Sequence, residues 1–260
     1  MIKVWAHRGA SAYAPENTLP AFQKAIELGA DGVELDVHLS RDGEVMVCHD
    51  DTVERCTGQK GKVRKMTCAE LKALDCSYIF PAFRGVRMPT LREVYELIAP
   101  TSLTVNVELK PATPLDIGLE RKCIALAEEF GMTGRVIYSS FHFARLRRLR
   151  LLDPDLPTAL LYEKWKSLLI RPLNHRARSA MHPEFVDMFR REAVERIHRS
   201  GQKVNVWTVN EPEDVRRLAA LGVDAIITNK PDLVRAVLEE WEAGLENAQL
   251  STDSPPHSGK

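Results

Sequence analysis

Short runs rich in β-branched residues alternate with helical patterns from one end of this chain to the other, and that alternation leaves few folds open. The strand-like runs are Lys3–Ala6, Gly32–Val37, Leu103–Leu109, Arg135–Ser139, Thr158–Tyr162, Lys203–Thr208 and Asp224–Thr228, with a weaker one near Ser179–Met181. Between them apolar residues recur at three- and four-residue steps, as in Leu19/Phe22/Ala25/Ile26, Leu119/Cys123/Leu126/Ala127, Val186/Phe189/Ala193/Ile197 and Val215/Leu218/Ala219. Asn17-Thr18 opens the first helix, and Gly29, Gly131, Gly201 and Gly222 close four of them. Strands that alternate with helices pair in parallel through right-handed crossovers. Eight such units in 260 residues predict an α/β fold, a TIM (β/α)8 barrel. The doubly wound alternative lacks its marker, because no G-x-G-x-x-G follows the first strand and no P-loop occurs.

Two stretches break the rhythm and one ends it. Residues 51–89, after an extra strand at Glu44–Cys48, are too long for a βα loop and read as a small insertion folded over the barrel's top. Residues 164–178 are basic and irregular. From residue 244 to 260 the chain turns Ser/Pro/Asp-rich and loses its apolar period, so residues 1–243 are expected to form one domain and 244–260 a disordered tail. Lys+Arg and Asp+Glu both total 36, a balance that excludes the basic footprint of a nucleic-acid binder. No run approaches the ~18 apolar residues of a membrane span. The first residues lack the apolar stretch of a signal peptide, and the five scattered cysteines form no C-x-x-C pair, so a cytoplasmic location is expected. A zinc site from Cys56, Cys68 and Cys76 would have spacings that match no standard pattern.

Barrels of this kind place their chemistry at the C-terminal ends of the strands. The first strand ends in His7-Arg8-Gly9, and the second carries Glu34 and Asp36, two apart and therefore on one face. The extra strand ends in His49-Asp50, and the third barrel strand ends in Glu108-Leu109-Lys110. Glu34, Asp36 and Glu108 cannot all stay ionised in a closed cleft without a cation, and an all-oxygen donor set selects a hard divalent metal, Mg²⁺ or Ca²⁺. Ion pairing of Glu34 and Asp36 with Arg8 and Lys110 is the plainer alternative. His7 and His49 are the natural general acid and base, since imidazole titrates near neutrality. Cys48 points away from His49 and is no nucleophile, and no G-x-S-x-G elbow is present. Arg8 and Lys110 add the fixed positive charge that suits a phosphate oxyanion. Trp207 offers an apolar wall for an alcohol moiety or a cationic head group, or else simply fills the core.

These residues resemble a known family. His7-Arg8-Gly9 with Pro15-Glu16-Asn17-Thr18, Gly32-Val33-Glu34-Leu35-Asp36-Val37, and Asp42-Gly43 before Val47-Cys48-His49-Asp50 are similar to the glycerophosphodiester phosphodiesterases. Asp51-Thr52-Val53-Glu54-Arg55-Cys56-Thr57-Gly58 resembles the opening of that family's insertion. Pro89-Thr90-Leu91, Glu108-Leu109-Lys110, Val206-Trp207-Thr208-Val209-Asn210 and Gly222 through Pro231 also fit, over residues 3–240. The resemblance implies a barrel whose divalent metal is held by Glu34, Asp36 and Glu108. It implies His7 and His49 as acid and base, and Arg8 and Lys110 near the phosphate. The implied reaction splits a glycerophosphodiester into sn-glycerol 3-phosphate and an alcohol, through attack by the substrate's own hydroxyl and a cyclic phosphate. Relatives that act as lysophospholipase D supply an alternative substrate class, and a silent phosphate-binding barrel a remote one. The basic runs Arg145–Arg150 and Lys164–Arg171 would suit peripheral lipid contact, although solvated helix faces explain them as well.

Overall fold

The computed structural model describes residues 1–110, 118–163 and 179–252. Its strands are β1 (Lys3–His7), β2 (Gly32–Leu39), β3 (Val45–Val47), β4 (Thr104–Leu109), β5 (Val136–Ser140), β6 (Thr158–Tyr162), β7 (Ala180–Pro183), β8 (Lys203–Val206) and β9 (Ala225–Thr228). Eight of them pair in parallel in the order β1-β9-β8-β7-β6-β5-β4-β2, and β1 pairs with β2 to close the ring. The expected (β/α)8 barrel with an insertion after its second strand is therefore what the chain forms. β1 covers only the start of β2, from Gly32 to Glu34, and β3 runs antiparallel to the far end, from Val37 to Leu39. That short hairpin carries the chain past the barrel rim and delivers His49 beside it.

The helices are α1 (Leu19–Glu27), α2 (Glu54–Thr57), α3 (Cys68–Ala73), α4 (Leu91–Ile98), α5 (Leu119–Glu129), α6 (Phe143–Leu152), α7 (Arg191–His198), α8 (Pro212–Leu221) and α9 (Pro231–Thr252). Alternation along β2 explains the layering. Val33, Leu35 and Val37 face outward and join Phe22, Val94, Leu119 and Cys123 of the surrounding helices in the main core. Glu34 and Asp36 face into the barrel, and the same alternation in β4 sends Val105, Val107 and Leu109 out and Asn106 and Glu108 in. Gly9 is required where β1 turns into α1. It sits at φ +77°, and a Cβ there would lie 2.6 Å from the Ala21 carbonyl carbon.

The insertion has a core of its own. Met46, Cys48, Val53, Val63, Leu71, Leu74, Cys76 and Met88 form a buried cluster separate from the main one. Thr67 starts α3 with a reciprocal cap: its hydroxyl accepts from Glu70 N–H at 3.2 Å, and Glu70 accepts from Thr67 N–H at 2.7 Å.

Four details depart from the sequence reading. β7 is a full barrel strand, buried throughout and paired with β6 and β8, although Met181-His182-Pro183 lacks the β-branched signature. The helix expected over Val186–Ile197 breaks into a 3-10 turn (Phe185–Met188) and α7. The loss of order expected from residue 244 is corrected over 244–252, because α9 continues to Thr252 and Gly244 is a helical residue. Leu245 to Leu250 are mostly good helix formers, which outweighs the single glycine. Finally, Arg145 is not on a solvated face. It is 1% exposed, and its guanidinium bonds Glu120 at 2.8 Å and the Lys110 carbonyl at 3.2 Å. The basic residues 164–171 lie outside the described residues. Among the described residues no helix is long and apolar enough to cross a membrane.

Candidate active site

A cleft of about 620 Å³ opens at the C-terminal end of the barrel, and every site residue expected from the sequence except Asp36 is in its wall. Asp36 lies just beneath, fully buried. The cleft size is ordinary for a small-molecule site.

Glu34, Asp36 and Glu108 offer carboxylate oxygens that all lie within 4.8 Å of one another, and all three are buried. The ion pairs foreseen as an alternative are present for Asp36, whereas Glu34 meets Arg8 only through the Arg8 backbone N–H. Lys110 Nζ stands 2.8 Å from Asp36 Oδ1 and 2.7 Å from Glu108 Oε1, and Arg8 Nε stands 3.4 Å from Asp36 Oδ2. Burial alone would raise Asp36, yet Lys110 and Arg8 overcome it and hold the carboxyl far below the usual range. Glu34 is pushed well up by burial and by the neighbouring Asp36 and Glu108 charges. Glu108 is pushed up to about 7 by burial, which outweighs the attraction of Lys110. Three converging carboxylates face two cations, Arg8 and Lys110, and Glu34 has no side-chain cation of its own, so an oxygen donor set of this kind fits a hard divalent ion.

This arrangement dictates a pH dependence. An unfolded glutamate ionises near ~4.3, whereas folded, metal-free Glu108 keeps its proton to about 7. A cation must displace that proton below about 7 and meets a ready carboxylate above it. The rise in melting temperature on adding Mg²⁺ or Ca²⁺ will therefore be larger at pH ~8 than at pH ~5. Asp36 is ionised at both pH values, and the histidines are common to the loaded and unloaded protein. An increment independent of pH across that window would remove the cation from these carboxylates.

Each imidazole is held by its Nδ1. His7 Nδ1 lies 2.7 Å from Asn229 Oδ1, an oxygen that also takes a hydrogen bond from Ser11 at 3.0 Å. An amide oxygen only accepts, so His7 Nδ1 carries the proton and Nε2 presents its lone pair. Burial, with Arg8 acting in the same direction, lowers His7 to about 4. His49 Nδ1 lies 2.7 Å from Asp50 Oδ1. Asp50 is brought down to about 2, because Arg55 and His49 together overcome its partial burial. Arg55 Nε donates to Asp50 at 2.7 Å and its terminal nitrogen donates to Glu16 at 2.6 Å, while Arg8 reaches the same Glu16 at 3.1 Å. Arg8 is bent into place by its backbone, at φ +58°, and its N–H donates to Glu34 at 3.0 Å.

Trp207 packs beside the Trp5, Ala225 and Ile227 cluster inside the barrel, and it also lines the cleft. Its indole N–H donates to the His182 carbonyl at 2.8 Å, and Phe141 meets it edge to face at 5.5 Å. Cys48 is buried in the insertion's core with its thiol toward the Asp50 carbonyl, away from the cleft. Among the described residues the acid trio is the one group of His, Cys, Asp and Glu whose ligand atoms converge for a metal, so the cysteine alternative has no support.

The sequence reading passed over Glu16, Asn17, Asp50, Arg55, Asn106 and Asn229 as site residues. Asn17, read as a helix start, instead donates its side-chain amide to Asp36 at 2.8 Å from a left-handed backbone at φ +57°. Asn106 was within reach of the period-2 argument, being two residues before Glu108. It lines the cleft, 1% exposed, with neither amide atom hydrogen-bonded.

The family model for glycerophosphoryl diester phosphodiesterases matches residues 7–233. The chain belongs to the glycerophosphoryl diester phosphodiesterase family. A glycerophosphodiester phosphodiesterase of Caldanaerobacter subterraneus subsp. tengcongensis is 42% identical over 233 residues, 88% of this chain and 94% of that protein. One from Bacillus altitudinis is 36% identical over 248 residues, 93% of this chain and 100% of that protein. A solved phosphodiesterase of Oleispira antarctica, in complex with the product sn-glycerol-3-phosphate, superposes with a TM-score of 0.80. It is 31% identical and covers 91% of this chain and 96% of its own. The matched span of the family runs from His7 to just beyond Asn229, so it takes in both histidine clamps and all three acids.

Proposed function

We propose that this protein hydrolyses glycerophosphodiesters to sn-glycerol 3-phosphate and an alcohol. The observation that carries the proposal is the cleft itself. It brings His7, His49, Glu34 and Glu108 into one wall above buried Asp36, with each imidazole held through its Nδ1. Glu34, Asp36 and Glu108 would hold the divalent ion, Mg²⁺ or Ca²⁺, which when bound supplies positive charge against the phosphate oxygens. Lys110 and Arg8, held by acids on one side, keep two further positive charges beside the phosphate.

The proton traffic follows from the clamps. His7, neutral with its lone pair on Nε2, accepts the proton of a glycerol hydroxyl as that oxygen bonds to phosphorus. His49, which burial lowers overall while the nearby Asp36 and Asp50 carboxylates favour its protonated form, gives a proton to the departing alkoxide as the phosphorus–oxygen bond to the alcohol breaks. The cyclic phosphate is then opened by water with the two roles exchanged. Trp207 and Phe141 supply the apolar wall against the alcohol. Asn106, with its amide unpaired in the cleft wall, is the group available to a substrate hydroxyl. A reducing, cytoplasmic setting accords with five free thiols.

The deciding assay incubates the purified, metal-stripped protein with glycerophosphocholine, glycerophosphoethanolamine and lysophosphatidylcholine, with and without added Mg²⁺ or Ca²⁺. Glycerol 3-phosphate released from the deacylated diesters only when metal is present is the expected result. Turnover of lysophosphatidylcholine alone would transfer the site to lysophospholipid chemistry, and no release from any substrate would end the proposal.

A further inference from the structure

Between Asp51 and Pro89 stand eight Lys or Arg residues against four Asp or Glu, a net charge of +4 in a chain whose overall charge is zero. This basic insertion ends in an apolar tip. Tyr78 is 67% exposed and Ile79 60%. Pro81 and Ala82 are exposed beside them, and half-buried Phe80 and Phe83 meet edge to face with ring centroids 6.2 Å apart. The other exposed large apolar side chains among the described residues, Met1, Tyr13, Phe143, Leu151 and Leu245, are not adjacent in the sequence.

The tip is held in shape rather than loosely draped. Asp75 accepts from the N–H groups of Ser77 at 3.0 Å and Gly85 at 2.8 Å, and Cys76 N–H donates to the Val86 carbonyl at 2.9 Å, which ties the two ends of the loop together. Cys76 and Met88 at its base enter the insertion's core, whereas Tyr78 and Ile79 are turned away from it. Exposed Lys60, Arg84 and Arg87 lie on the same insertion, with one Arg87 nitrogen donating to the Ala73 carbonyl at 2.7 Å. The Tyr78 ring covers Gly58, where an added Cβ would come within 2.8 Å of it, and Gly58 caps α2. α2 in turn begins two residues after Thr52 of the cleft wall. One four-residue helix therefore separates the tip from the cleft opening.

We infer that this tip docks the protein on an anionic phospholipid surface, with Tyr78 and Ile79 entering the interface and Lys60, Arg84 and Arg87 facing the lipid phosphates. Two adjacent side chains flanked by partly covered rings fall short of the ~1,200 Å² that a stable protein interface buries. A lipid interface needs only a few apolar anchors backed by basic charge, and both are present. The basic helix α6 is the poorer candidate, because its first arginine is committed to Glu120 inside the fold. Docking through the insertion brings the mouth of the cleft beside the lipid. It does so whatever the enzyme hydrolyses.

The test is co-sedimentation of the full chain with vesicles of phosphatidylcholine alone and of phosphatidylcholine with phosphatidylglycerol, at low and high salt. The wild type is expected to pellet with the anionic vesicles and to be released by salt. Tyr78→Ser with Ile79→Ser should weaken partitioning about tenfold or more. Lys60→Gln with Arg84→Gln should erase the preference for anionic lipid. Both variants should keep the wild-type melting temperature and turnover of soluble diester, which shows that the fold and the cleft are intact. Wild type that stays in the supernatant with both vesicles, or a Tyr78/Ile79 variant that pellets like wild type, overturns the inference. So does a dimer that is lost in that variant while no vesicle is bound. The readout is pelleted protein, so a failed hydrolysis assay and a failed docking assay are told apart.

Discussion

Replacing His49 with alanine will lower kcat for glycerophosphocholine by ~10²–10⁴ while KM moves little, because the imidazole acts on a proton in flight and not on the bound ground state. His7→Ala will do the same. The double variant will be hardly worse than the weaker single one, since each proton transfer is useless without its counterpart. Asp50→Asn tests the clamp separately. The asparagine keeps a polar group within 2.7 Å reach of Nδ1 but removes the charge that stabilises protonated His49, so the loss should fall between wild type and His49→Ala. Steady-state kinetics on purified variants with unchanged melting curves is the check. A His49→Ala enzyme that retains more than a tenth of wild-type kcat would exclude His49 from proton transfer.

Removing one carboxylate of the trio should be as damaging, and the position chosen separates metal binding from stability. Burial and the neighbouring acids push Glu34 well up, which favours its neutral form, so Glu34→Gln is nearly isosteric with that form, and its amide oxygen can still accept from Arg8 N–H. Melting temperature without metal should be unchanged, the metal-dependent increment should vanish, and activity should fall by ~10³. Asp36→Asn behaves differently. It takes from Lys110 and Arg8 a shared buried counter-ion and leaves each with one acid, Glu108 and Glu16, which costs ~1–3 kcal/mol of stability whether or not metal is present. Calorimetric unfolding with and without Mg²⁺, set beside turnover, distinguishes the two. Equal stability losses in both variants would mean that the trio is held together by its ion pairs and that no cation organises it.

What could be read from the sequence follows a physical line. Glu34 with Asp36, and Glu108 with Lys110, were legible because a strand repeats every two residues and a barrel exposes its strand ends. His7 and His49 were legible as titratable groups at two such ends. Glu16, Arg55, Asn17 and Asn229 come from loops, where no period links residues. Glu16 and Arg55 lie 39 apart in the chain, and only folding shows that they join Asp50 of the His49 clamp to Arg8. Asn17 misled because asparagine before a helical pattern is also a capping residue. Arg145 misled because a run of arginines spells an exposed face, and its partner Glu120 is 25 residues away. β7 was faint because its burial comes from both neighbouring strands and not from its own composition.

The insertion's separate core has a consequence for how this site can vary. The acids, Arg8, Lys110 and His7 all stand on the closed ring, whereas His49 arrives on a hairpin anchored to its own small hydrophobic body. Grip on the ligand and delivery of the second proton are thus carried by two parts of one chain, joined where Val45 and Val47 enter the main core and where Arg55 pairs with Glu16. A change that loosens only the smaller part leaves the ring's charges where they were and shifts one imidazole. Its signature is a slower enzyme that binds as tightly as before, so the rate can drift between related sequences without disturbing what the ring recognises.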